Sequence, residues 1–109
     1  MMTEFYVNDK LEGPSITFFE NGRIAGELNY KNGKLHGKEK TYSEDGVPLK
    51  EFNYVDGKLN GPVTYYDVEG NVTITGQYKN NLQDGVWKYY RNGKVYEERK
   101  YPLPQPTRK

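Results

Sequence analysis

The sequence predicts an all-β fold: an elongated single-layer antiparallel β-meander built from about four 24-residue β-hairpin repeats. Three observations predict it. First, residues recur at one period. Gly13, Gly37, Gly61 and Gly85 fall 24 residues apart, as do Tyr6, Tyr30, Tyr54 and Tyr78, and as do Phe18, Tyr42, Tyr66 and Tyr90. Second, Asn-Gly and Asp-Gly dipeptides, which supply positive φ in tight hairpin turns, recur along the chain. Third, the runs between them, such as Ser15–Phe19, Val63–Tyr66 and Val72–Thr75, are β-branched and aromatic and of strand length. No stretch keeps a helical period over three turns, so long helices have no room.

A half-unit, residues 3–12, comes first, and its Tyr6–Leu11 stretch matches Tyr30–Leu35 and Tyr54–Leu59. Units follow at 13–36, 37–60, 61–84 and 85–101. Each reads as two short strands with a turn after each. Gly22, Gly46 and Gly70 mark the first turn, and Gly93 marks it one residue early in the last unit. That deletion carries through and places Tyr101 at the next tyrosine position. Gly33 and Gly57 mark the second turn. Asn81 stands there in the third unit, as the next residue best able to tolerate the left-handed region.

Short turns make consecutive strands antiparallel neighbours. A two-residue loop and a three-residue loop with a glycine bulge both suit these turns, and they set different residues opposite one another, so the register stays open. The Tyr6 and Phe18 series are expected to interleave as one stripe of rings. Pro102, Pro104 and Pro106 cannot donate ladder hydrogen bonds, so Tyr101 is expected to end the sheet and residues 102–109 to form an extended Pro-rich tail.

Composition narrows the function classes. Hydrophobic residues are only 34% of the chain, yet it holds 11 Tyr, 4 Phe and 1 Trp, which separates it from disordered sequences and suits a thin sheet covered by half-exposed rings. Sixteen basic against fifteen acidic groups leave +1, so no net field draws in nucleic acid. Cysteine is absent and His36 is the single histidine, which excludes a thiolate site or a His–His metal pair and leaves His36 a turn role. Neither a Gly-x-Gly-x-x-Gly fingerprint nor a phosphate-binding loop occurs, and no nucleophile or acid–base pair can be assembled. The expectation is a protein that is not an enzyme and has no cofactor, metal or small-molecule substrate. The start lacks a signal-peptide pattern and no apolar run reaches the roughly 20 residues of a membrane span, so a cytoplasmic location is expected.

The fourth unit, Gly85-Val-Trp-Lys-Tyr-Tyr-Arg-Asn-Gly-Lys-Val-Tyr-Glu-Glu-Arg-Lys-Tyr101, resembles a MORN (membrane occupation and recognition nexus) repeat. It is most similar to the bacterial variant found in YwqK-type antitoxin proteins. The same pattern recurs in Gly13–Gly22 followed by Tyr30–Gly37. The resemblance implies a twisted antiparallel sheet without enzymatic activity, acting in protein–protein contact. It implies an antitoxin or immunity role with a toxin as partner. The alternative is a peripheral phospholipid-binding scaffold, whose basic groups would be Lys88, Arg91, Lys94, Arg99 and Lys100.

Phe18-Phe19, Tyr65-Tyr66 and Tyr89-Tyr90 are expected to place one ring on each face of the sheet. Tyr, Trp and Arg dominate interface hot spots. The candidate interaction surface is therefore Trp87, Tyr89 and Arg91, alternating onto one face of the last unit, joined by Tyr65 and Phe19.

Overall fold

The computed structural model describes residues 2–4, 6–7 and 10–102. In chain order the strands are β1 (Met2–Thr3), β2 (Tyr6–Val7), β3 (Lys10–Leu11), β4 (Gly13–Phe18), β5 (Ile24–Lys31), β6 (Lys34–Leu35) and β7 (Gly37–Tyr42), followed by β8 (Pro48–Val55), β9 (Lys58–Leu59), β10 (Gly61–Tyr66), β11 (Val72–Lys79), β12 (Leu82–Arg91) and β13 (Lys94–Tyr101). The main sheet runs β1-β4-β5-β7-β8-β10-β11-β12-β13, with β6 added to β5 and β9 to β8, while β2 and β3 form a separate pair. All pairings are antiparallel. The result is an open, thin array with extents of 54 × 36 × 14 Å. The expected Pro-rich tail falls, beyond Pro102, outside the described residues.

Both loop lengths occur, and they alternate. The first turn of units one to three is a three-residue loop: Phe19 and Arg23 are bonded across it, Gly22 N–H donates to the Phe19 carbonyl at 3.0 Å, and Gly22 has φ 86°. Ser43–Val47 and Asp67–Asn71 repeat this arrangement. The second turn is a two-residue loop with both residues at positive φ: Asn32 at 52° and Gly33 at 80°, Asp56 at 50° and Gly57 at 83°, Asn80 at 50° and Asn81 at 71°. Such turns match the twist of the strands they join. The missing residue of the last unit is now located. Asn92-Gly93 makes a two-residue loop, with Arg91 paired to Lys94, where the other units use three residues.

The two-residue turns stack on one another along one side of the array. Gly33 N–H donates to the Leu11 carbonyl (3.0 Å), Gly57 N–H to Leu35 (2.8 Å) and Asn81 N–H to Leu59 (2.9 Å). At the other end of the strands, the Asn21 side-chain amide donates to the Glu44 carbonyl at 3.0 Å and ties neighbouring three-residue loops.

The expected single stripe of rings is corrected by the register. Gly13 pairs with Tyr30, Gly37 with Tyr54, Gly61 with Tyr78 and Gly85 with Tyr101. Side chains alternate along a strand, so these tyrosines share a face with Ser15, Glu39, Val63 and Trp87. Phe18, Tyr42, Tyr66 and Tyr90 stand an odd number of residues from those glycines and lie on the opposite face. Two aromatic rows therefore cover the two faces of one sheet.

The core is a row across the first of these faces. Val63 is 1% exposed, Trp87 3% and Ser15 5%. Each stands two residues after the first glycine of its unit, as Glu39 does in the second unit. A Cβ at Gly76 would overlap the Trp87 indole, so the absent side chain makes room for the largest one.

Candidate interaction surface

The tyrosine-bearing face becomes most aromatic over units two to four. Phe52 and Tyr65 meet edge to face with centroids 5.4 Å apart, Tyr78 and Trp87 at 5.2 Å, and Trp87 and Tyr101 at 6.2 Å. Edge-to-face contact brings a ring's positive rim to its neighbour's negative face. The Trp87 Nε1–H donates to the Gln77 carbonyl at 3.1 Å, which satisfies its polar atom inside the cluster. Cations edge the patch: Lys50 Nζ lies 4.9 Å from the Phe52 ring centre, and the Arg99 guanidinium 5.9 Å from that of Tyr89.

Three phenol hydroxyls on this face, those of Tyr54, Tyr65 and Tyr89, have their pKa raised above the ordinary range. Burial, then the hydrogen bond given to the Glu39 carboxylate at 2.7 Å, push Tyr54 far above its ordinary range. Burial raises Tyr65, with Tyr78 adding to it, and burial raises Tyr89, with Tyr101 adding to it. On the opposite face the leading cause differs: Tyr66 is raised first by its 2.7 Å hydrogen bond to Glu51 and then by burial. Other polar contacts lie on that face. Lys40 lies 3.9 Å from Glu51, and the Tyr90 hydroxyl 3.2 Å from Thr75 Oγ1.

The structure separates the five residues singled out from the sequence. Tyr65 and Tyr89 are half-buried on the aromatic face. Trp87 lies beneath that surface as its core, since only 3% of it is exposed. Arg91 is exposed at the turn end of β12, with its guanidinium 4.3 Å from the Tyr96 ring centre. Phe19 begins the first three-residue loop, at the far end of the strand order from β12, and does not join the cluster. Phe52, Tyr54, Tyr78 and Tyr101 complete the face and were not singled out. For the three tyrosines the signal was the tyrosine period itself, which acquires a face only once the loop lengths fix the register, and Phe52 stands outside that period.

The basic side chains near the C-terminus divide between faces. Arg91, Lys94 and Arg99 share parity with Trp87, whereas Lys88 and Lys100 share the other. Arg99 is further held by Glu97, Nε to Oε2 at 2.6 Å. A shallow polar groove of about 520 Å³ lies beside the Asp67–Asn71 loop, lined by Asp67, Glu69, Asn71, Tyr90, Arg91 and Asn92 among others. Among the described residues no group of three or more His, Cys, Asp or Glu could hold a metal ion, and no helix is long and apolar enough to cross a membrane.

An open array of antiparallel hairpin repeats, with aromatic rows on both faces of a thin sheet, defines a class of single-layer repeat protein. Residues 11–32, 35–56 and 83–101 each match the family model of the MORN repeat variant. These segments make up more than half of the chain, which belongs to the MORN-repeat family in that variant form. MORN repeats commonly serve as protein- or membrane-interaction modules. Residues 61–81 carry the same order of strand, loop, strand and two-residue turn as the two units before them. No curated protein matches the chain.

Proposed function

We propose that the chain is a non-catalytic protein–protein interaction module that takes its partner on the aromatic face of its last two units. The observation that supports this is the contiguous set of half-buried tyrosines, Tyr65, Tyr78, Tyr89 and Tyr101, held around the buried indole of Trp87. Tyrosines held this way offer large apolar area and neutral hydroxyl donors, and little rotamer freedom remains to be lost on binding. The resemblance to YwqK-type proteins supports a toxin as that partner, with the chain as its antitoxin. A phospholipid surface is the lesser reading, because the basic groups it needs are split between two faces and interleaved with Glu97 and Glu98.

The test is affinity purification of the tagged chain from its source cells, with mass spectrometry of what stays bound. The expected result is one near-stoichiometric protein that is lost with Tyr89→Ala and kept with Tyr90→Ala on the opposite face. A partner that arrests growth when expressed alone supports the antitoxin assignment, and a harmless one removes that assignment. Loss of binding through Tyr90 rather than Tyr89 overturns the choice of face. Salt-sensitive sedimentation with anionic vesicles, in the absence of any protein partner, replaces the reading with the lipid one.

A further inference from the structure

We propose that Asn92 is a self-modification site, at which the folded chain deamidates ahead of its other Asn-Gly pairs. This does not depend on the aromatic face as a contact surface, so the two readings stand or fall separately. Asparagine is a chemically labile residue. Where glycine follows it, no Cβ hinders the approach of the glycine nitrogen to the side-chain amide carbon. That nitrogen gives up its proton and attacks. A new N–C bond closes a five-membered succinimide, the bond to the side-chain nitrogen breaks, and ammonia leaves with the proton. Water then opens the ring at either carbonyl and yields aspartate or isoaspartate. The reaction needs a glycine N–H free of partners and an asparagine side chain free to turn toward it.

The chain holds four such pairs: Asn21-Gly22, Asn32-Gly33, Asn60-Gly61 and Asn92-Gly93. The fold restrains the first three. Gly22 N–H donates to the Phe19 carbonyl at 3.0 Å. Both ends of the Asn21 amide are engaged, Nδ2 donating to the Glu44 carbonyl at 3.0 Å and Oδ1 accepting from Arg23 N–H at 2.9 Å. Gly33 N–H donates to the Leu11 carbonyl at 3.0 Å. Gly61 is half-buried in the β10–β11 ladder opposite Tyr78, and Asn60 N–H before it donates to the Asn53 carbonyl at 2.9 Å. Asn92 and Gly93 are exposed, and among the described residues neither the Asn92 side-chain amide nor Gly93 N–H has a hydrogen-bond partner.

The shortened loop of the last unit is the cause. In the three-residue loops the glycine N–H closes onto the carbonyl three residues earlier, at Gly22, Gly46 and Gly70. The two-residue loops of Gly33 and Gly57 donate instead to a leucine carbonyl of the preceding unit. Asn92-Gly93 is a two-residue loop whose inner neighbour is the three-residue loop Asp67–Asn71, and no carbonyl there receives Gly93 N–H. The polar groove lined by both loops lies between them instead. That neighbour is within the described chain, so the freedom of Gly93 does not rest on what lies beyond β13. Reaction adds a carboxylate to a groove that already holds Asp67 and Glu69. Isoaspartate also routes the backbone through the former side chain, one atom longer, in the loop that sets the Arg91–Lys94 pair.

The experiment keeps the isotope-labelled full chain in warm, mildly alkaline buffer and follows every asparagine side-chain amide by NMR. The expected result is loss of the Asn92 signal roughly fivefold faster than that of Asn21, Asn32 or Asn60, the scale set by one hydrogen bond. In concentrated urea, where the fold no longer restrains any pair, the four rates should converge. Equal rates in the folded chain, earlier loss at another of the four, or an intact Asn92 while the unfolded chain reacts would each overturn the proposal. So would an Asn92 as far ahead in urea as in the folded chain, since local sequence rather than the loop would then select it.

Discussion

The indole of Trp87 occupies the space in which Gly76 would carry a side chain. One unit earlier the equivalent positions hold Val63 and Phe52. A large residue on one strand thus answers a small one on its neighbour, and the sizes are exchanged between units. Gly76→Phe alone should destabilise by about 3 kcal/mol through overpacking, and Trp87→Val by a similar amount through a cavity. The double variant recreates the earlier pairing, so its loss in urea denaturation should be smaller than either single loss. Additive losses would show that the two sites are not coupled. Tyr54 is the second informative residue. Removing its hydroxyl with Tyr54→Phe leaves the Glu39 carboxylate without that donor and should cost about 1–2 kcal/mol at neutral pH. The sign at high pH follows from the raised phenol. Stability from a raised group is complete below its unfolded value, about pH 10, and fades as pH climbs toward the folded value. The melting temperature of the native chain should therefore fall more steeply above about pH 10 than that of Tyr54→Phe. Parallel slopes would place the alkaline sensitivity elsewhere.

Hairpin loops decide how the elements meet. Gly57 has φ 83° and nothing closer than Lys34 Cβ at 4.0 Å, so a side chain there meets backbone strain rather than a clash. Gly57→Val should cost about 1–2 kcal/mol, and an unchanged melting temperature would contradict the turn geometry. Asn81 answers the same demand differently. Its φ is 71°, and its side-chain oxygen accepts from Leu59 N–H at 2.8 Å, a bond that glycine could not supply. In the third three-residue loop, Asp67 Oδ1 accepts from the N–H groups of Glu69 and Asn71, each at 2.9 Å. The bond from the Asn71 backbone is the chief reason that Asp67 lies below the ordinary carboxylate range. Its loop contribution should hold above that range, at about pH 4, and disappear on further acidification, as a carbon-detected titration of Asp67 would follow. The turns and the period were legible in the sequence because they depend on local φ demands at Gly22, Gly33, Gly46, Gly57, Gly70 and Gly93. The assignment of Phe18 and Tyr30 to opposite faces was not, because one residue more or less in a loop flips every side chain beyond it. Nor was the role of Gly76, whose empty Cβ position has meaning only beside an indole 11 residues further along the chain.

Across the whole molecule, a single-layer array has no common core, and each unit is stabilised chiefly by its neighbours. The burial is unevenly shared. Among the described residues, two of the three buried side chains, Val63 and Trp87, and all three ring–ring contacts lie from β8 onward, while the equivalent places in the first two units hold Ser15 and Glu39. Apolar burial stabilises at roughly 25 cal/mol per Å² removed from water, so the aromatic half should open less often than the polar half. Local opening in repeat arrays follows this neighbour energy. Native-state hydrogen exchange should therefore find the slowest amides in β10, β11 and β12, with faster exchange through β4 and β5. The gradient also has a functional sense. The proposed contact face sits on the part of the sheet expected to open least, where its tyrosines would be held ready for a partner and lose least on binding. Trp87→Val should flatten the gradient by accelerating β11 and β12 toward the rates of β4 and β5. If the slowest amides lie in β4 and β5 instead, the buried indole is not what rigidifies the array, and the link between core and contact face fails with it.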